Sequence, residues 1–398
     1  MKLILIFLFL FLFLPYSGLF FFNAAEEKLV GGVDNYLKFT YGVHIFIVLF
    51  FIFSILHFFK PKNSIKIEIP TEIILKKYKK IIFILCIVIL TNLFLFDGYK
   101  ILLGEVGRGY FRITLGDFGF IYSFNALFLS SGLLALSANY YIRSSEPFKV
   151  KKYFLIIFLL SMLIGVFTGF KFTAVLIGFV GLSVLSTKLR MKHFILVGII
   201  FLLFMIFSAS YFMRFSDSLS ALNYLFIRAT STAVAGTVGV WNIFPNGGEE
   251  SSLSLLYIFG NKIAAIILDT PVASIEFIKV NLGRYIAYLT YPNYDEALSG
   301  ELNLTVTNFG YAVYFFGQYY FFFYSIIIGI VLGALINIFR YFNNNIVLHS
   351  TFASYLFIIV LIGGGKISNI FALTSFVYIL LLYVMLKTVN SNIIFRKE

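Results

Sequence analysis

Apolar residues fall along this chain in blocks near the ~20 residues that a helix needs to cross a bilayer. The blocks are Leu3 to Phe22, Tyr41 to Phe59, Ile81 to Leu103, Phe118 to Ile142, Tyr153 to Gly169, Phe172 to Thr187, Phe194 to Phe212, Tyr311 to Phe339, Ile346 to Ile362 and Ile367 to Leu386. The pattern predicts an all-α polytopic membrane bundle of about ten crossings. The first block is long for a signal peptide, and Asn23-Ala24-Ala25 is a poor cleavage site, so it is expected to stay as a helix. Both termini then fall on the cytoplasmic side. The predicted organisation is a membrane bundle over 1–212 with about seven helices, a large external loop over 213–310, and a second bundle over 311–398 with about three.

Between Met213 and Gly310 the membrane pattern lapses, and loops of that length are uncommon unless they serve a function. Two pieces, Leu219 to Trp241 and Leu253 to Leu268, are apolar enough to form short helices on the membrane. As full crossings they would raise the count to about twelve. Arg228 within the first piece argues against that, since an arginine at mid-bilayer costs at least ~2.5 kcal/mol. The spacing of Ile275, Ile278, Leu282, Ile286 and Leu289 predicts an interfacial helix beyond them.

Composition agrees, with 60% apolar and 12% charged residues. The 52 phenylalanines are expected to face lipid. Charge tests the alternation independently. The segments it places inside hold 19 cations against four acids, whereas those outside hold 12 cations and 14 acids. The net charge of +13 therefore belongs to one side, as the positive-inside rule requires, and gives no nucleic-acid footprint. The one cysteine, Cys86, lies within an apolar block and excludes a disulfide framework. His44, His57, His193 and His349 lack ligand spacing, so no metal or other cofactor is called for. Gly363-Gly364-Gly365-Lys366 has Ile367 where a phosphate loop needs Ser or Thr, and reads as a turn between two crossings. Gly165 with Gly169, and Gly329 with Gly333, have the spacing of close helix packing.

Five of the nine arginines, Arg108, Arg112, Arg214, Arg228 and Arg284, fall outside, where cations are normally depleted. Arginine presents a planar fork that grips phosphate oxygens bidentately, so a lipid-linked diphosphate is a natural ligand. Plainer roles stay open to each of them: snorkelling to headgroups, or pairing with acids such as Asp217 and Glu105.

The stretch Gly165-Val-Phe-Thr-Gly-Phe-Lys-Phe-Thr-Ala-Val-Leu-Ile-Gly resembles the hairpin of bacterial O-antigen and oligosaccharide repeat-unit polymerases, with Lys171 at the position of the usual arginine. The segment from Leu302 to Tyr319, and the helix with Gly329 and Gly333, are similar to the part of that family that closes its large periplasmic loop. Chain length and loop placement also fit. The resemblance implies transfer of a growing glycan from undecaprenyl diphosphate to a new lipid-linked repeat unit, at the outer face of the bacterial inner membrane. It implies as partners the lipid-linked oligosaccharide, membrane lipids and a chain-length regulator. On it, Arg214, Arg228 and Arg284 are expected to stabilise the diphosphate leaving group. Lys171, Arg108 and Arg112 are expected to support substrate binding. Asp217 is the first candidate for the base, with Glu249, Glu250, Asp295, Glu296 and Glu301 open beside it. The alternatives are an O-antigen ligase, for which no histidine falls between Met213 and Gly310, a lipid-phosphate-sugar transferase using Glu26, Glu27 and Asp34, and a flippase or transporter.

Overall fold

A computed structural model describes residues 8, 12–22, 24–59, 68–103, 105, 115, 118–166, 173–186, 198–199, 202–203, 205–207, 209–210, 217–271, 274–292, 294–299, 302–361 and 366–391. Over these residues the chain is helical, with no strand and one isolated bridge between Ile69 and Ser144. A short helix α1 (Ala24–Val30) leads to α2 (Asn35–Phe58), α3 (Thr71–Leu90), α4 (Phe118–Arg143), α5 (Pro147–Val166) and α6 (Thr173–Leu185). The segment between the bundles forms α7 (Ser218–Ala229), α8 (Ser231–Ile243), α9 (Asn261–Leu268), α10 (Leu282–Thr290) and α11 (Tyr294–Ser299). Then come α12 (Asn308–Tyr320), α13 (Phe322–Tyr341), α14 (Ile346–Val360) and α15 (Leu373–Ser391), the last preceded by a single turn, Ile367–Ile370.

Five helices among the described residues are long and apolar enough to cross a membrane: α2, α3 with its extension to Leu95, α4, α13 with its extension to Asn344, and Ile367–Ser391. The sequence pattern asks for about ten. The runs 3–22 and 194–212 are described only in part. Helix α5 carries Lys149, Lys151 and Lys152 in its first turns, and α6 and α14 fall short of 18 residues. The helical class of the bundle is thus observed, while the count of ten is not.

Helix starts differ from the apolar blocks because capping and charge extend them. Helix α2 begins six residues before its block, where the Asp34 carboxylate accepts from the Leu37 amide at 2.5 Å. Helix α3 begins at Thr71 and so takes in Lys76, Lys77, Lys79 and Lys80 as its own N-terminal turns. Lys77 is buried there and donates to the carbonyls of Val389, at 2.9 Å, and Asn390. It closes the last turn of α15, where a cation also favours the negative end of the helix dipole. Arg143 ends α4 on the Asn343 carbonyl and on Asn139 Oδ1 at 3.0 Å, and Arg340 ends α13 near the Leu56 carbonyl. The start of α3 and the ends of α2, α4, α13 and α15 therefore gather at one basic end.

Helix α13 packs along α2. A Cβ on Gly329 would stand 2.9 Å from the Val48 carbonyl oxygen, and one on Gly333 2.9 Å from Ile55 Cβ, so both glycines let the two backbones approach. Gly165 does the same against Ala174 at the α5–α6 turn, while Gly169 lies outside the described residues. Opposite its packed stripe of Tyr41, Ile45, Val48 and Ile52, α2 exposes Phe46, Phe50 and Phe53. A helix apolar on both faces belongs in lipid, which is the expected setting of these phenylalanines.

The run Tyr311 to Phe339 is two helices. Gly317 breaks α12 at φ 72° and ψ 177°, a backbone region that is essentially glycine's own. The break is held from outside: Gln318 N donates to the Pro245 carbonyl and Gly248 N to that of Tyr314, each at 2.8 Å.

Candidate functional site

At the end of the bundle opposite the basic cluster, residues 217–306 fold into short helices that are stapled to the helices beneath. Glu26 of α1 reaches the start of α8, accepting from Ser231 Oγ and, at 3.0 Å, from Thr232 Oγ1. Asn242 near the end of α8 donates to the carbonyls of Val30 and Gly32. Thr237 in the middle of α8 accepts from the Thr307 amide at 2.9 Å, fixing the extended segment 302–307 against it. Lys279 pairs with Glu250 and joins two parts of the loop, its ammonium raised mainly by the hydrogen bond to that carboxylate.

The expected single interfacial helix over 275–289 is split. A turn at Ile275–Ile278 stops, and Asn281 restarts the chain as the N-cap of α10, its side chain accepting from the Arg284 amide. Likewise Leu219 to Trp241 is two helices meeting at Thr230, whose φ of −111° and ψ of −88° are not helical. Neither half is long enough to cross a bilayer, which needs ~20 residues.

The charged residues singled out in the sequence do not converge among the described residues. Asp217 caps α7, accepting from Ser220 N at 2.7 Å and Ser220 Oγ at 2.8 Å. Arg228 stands exposed in the last turn of α7. Arg284 is 6% exposed, and its Nε donates to the Ala297 carbonyl at 3.1 Å and its Nη2 to that of Leu298. Burial lowers its pKa. Much of its fork thus ties α10 to α11 and is not offered to solvent. Arg108, Arg112, Lys171, Arg214 and Glu301 lie outside the described residues. Of the acids of the lipid-phosphate-sugar transferase alternative, Asp34 is engaged as the cap of α2 and Glu26 by the hydroxyls of Ser231 and Thr232, while Glu27 is exposed.

What does converge is a pocket of about 190 Å³ at the seam between the loop and the bundle. Its floor on the bundle side is Tyr311 of α12 with Lys366 and Asn369 of the turn before α15. Its loop side is Tyr257, Asn281 and the strand-like run Asn303 to Thr305. Among the described residues no carboxylate lines it. Lys366 Nζ lies 5.0 Å from the Tyr311 ring centroid, and burial pushes this ammonium down to about 8. The neighbouring Tyr257 phenol is pushed up by burial and stays neutral.

Sequence reasoning passed over Lys366 because it follows three glycines in an imperfect phosphate loop. Gly363 to Gly365 of the turn it predicted lie outside the described residues, and Lys366, which precedes the helical turn Ile367–Ile370, is part of a polar site. The available signal was a lysine on the cation-poor side with asparagine three residues on. Buried histidines prove to be packing groups: His44 Nδ1 lies 2.7 Å from Ser325 Oγ, and His349 Nδ1 lies 3.1 Å from Asn139 Oδ1 at the basic end. Comparison with protein families, with curated proteins and with solved structures finds no match for the chain.

Proposed function

We propose that this chain is a membrane glycosyltransferase that joins lipid-diphosphate-linked oligosaccharide repeat units into a surface glycan, in the manner of bacterial repeat-unit polymerases. It sits in the cytoplasmic membrane with about ten crossings and both termini inside, and a chain-length regulator is its expected companion. The observation that carries this reading is the pocket at the foot of the long loop, which is lined among the described residues by a lysine and no carboxylate. Such a site suits an anionic, hydroxyl-rich ligand held at a membrane surface, which is the chemistry of a lipid-linked glycan.

In the reaction, a hydroxyl oxygen of the acceptor repeat unit forms a bond to C1 of the donor glycan. The bond from C1 to the diphosphate oxygen breaks, and the polyprenyl diphosphate leaves with the electron pair. The hydroxyl proton passes to a carboxylate, for which the exposed Glu249 is placed on the same loop. Arg228, exposed on α7, is the described cation best able to meet the diphosphate, and cations preorganised there lower the barrier by stabilising the charge that develops. Arg284 supports the loop that carries them.

The break at Gly317 favours a second reading, since discontinuous helices also build transporter sites. Reconstitution with lipid-linked repeat units separates the two. The polymerase reading expects a ladder of products from the wild type and single units from Arg228→Ala, with equal membrane insertion. Repeat units that cross the bilayer unjoined would establish the transporter and overturn the polymerase.

A further inference from the structure

The seam pocket has a narrower chemistry than its position alone requires. At about 190 Å³ it is smaller than the ~300–1,000 Å³ of sites that enclose a drug-sized ligand, so it takes one group of a larger molecule. Three carboxamides, Asn281, Asn303 and Asn369, face it. Each carries donors and an acceptor together, and the hydroxyls of Tyr257, Thr305 and Tyr311 likewise do both. The ionised oxygens of a diphosphate diester present acceptors alone and would use only the donor half of these groups. Sugar hydroxyls donate and accept, and so match the lining atom for atom in kind. Lys366 adds one positive charge, with no acid among the described lining residues, in a place where burial weakens its hold on the proton. An anion there restores what desolvation removes.

We propose that this pocket is a subsite for a single carboxylated sugar ring of the glycan, its carboxylate paired with Lys366 and its hydroxyls held by the asparagines. The proposal rests on the polymerase reading and deepens it: the repeat unit contains an acidic sugar, and the pocket selects for it. Because the walls come from both the loop and the turn before α15, a bound ring also bridges the two.

The test is ligand binding by the purified full chain in detergent, read by saturation-transfer NMR, with glucuronate, glucose and inorganic phosphate as probes. At pH 7 glucuronate is expected to bind at least about tenfold more tightly than glucose, a difference of ~1.4 kcal/mol. Lys366→Gln keeps a polar group and removes the charge, and should erase that preference. Raising the wild type from pH 7 to pH 9 should do the same, since the ammonium is lost as pH rises through about 8 and the other titratable lining groups are the phenols of Tyr257 and Tyr311. The pH arm serves if the variant does not fold. Equal binding of glucuronate and glucose overturns the proposal, as does displacement of glucuronate by equimolar phosphate, or no binding of any probe. Any of these leaves the product ladder of the reconstituted enzyme as it was. A missing ladder with selective glucuronate binding overturns the polymerase and leaves the subsite standing.

Discussion

Arg284 and Arg228 look alike in the sequence, two arginines on a cation-poor side, and their surroundings part them. The carbonyls that hold Arg284 belong to Ala297 and Leu298, on the next helix, so nothing adjacent in the chain announces that the guanidinium is buried. Arg284→Ala orphans both carbonyls at about 1–3 kcal/mol each, and should speed amide exchange across α10 and α11. Arg228→Ala touches no described packing and should leave the unfolding temperature unchanged while single repeat units accumulate. Loss of function from Arg284→Ala with unaltered exchange would return that residue to the diphosphate. Asp217 is legible as an N-cap from its place before Ser218 and Ser220, and that role, more than a base, is the one its hydrogen bonds describe.

Among the helices, apolar blocks locate the long ones well and their ends poorly. Phe118 to Ile142 is matched by α4 within a residue, because its charged Arg143 falls where the apolar block itself stops. Thr71 is missed as the start of α3 because its lysines read as a loop, yet Lys77 is buried against a helix more than 300 residues onward. The run Tyr311 to Phe339 exceeds the ~25 residues of an ordinary crossing. That excess is the legible trace of the Gly317 break. Gly317→Ala puts a Cβ 2.9 Å from the Asn246 carbonyl carbon and forces a disfavoured backbone region, for about 1–3 kcal/mol. Thermal denaturation in detergent should register it as a clear drop.

For the molecule as a whole, charge asymmetry foretold one basic end and a separate loop end, and the packed helices have both. It could not foretell the pocket, whose residues are drawn from five stretches between 257 and 369 and meet only when the loop closes on the bundle. The orientation has its own test. With the lipid-exposed Cys86 removed, Glu249→Cys should react with an impermeant thiol reagent in intact cells, and Ser145→Cys only after permeabilisation. The reverse pattern would turn the molecule over and remove the pocket from the outer surface.

Helix α2 is made well before α13, yet the surface that its Val48, Ile52 and Ile55 fit is on α13, and the His44 pair with Ser325 spans 281 positions. At ~5–20 residues per second a ribosome takes about 15–60 s to cover that distance. Throughout that interval the groove meant for Gly329 and Gly333 faces lipid or a membrane chaperone. Chains truncated before α13 should therefore be inserted and then cleared by membrane proteases, so that the cell tolerates this protein only when it is finished.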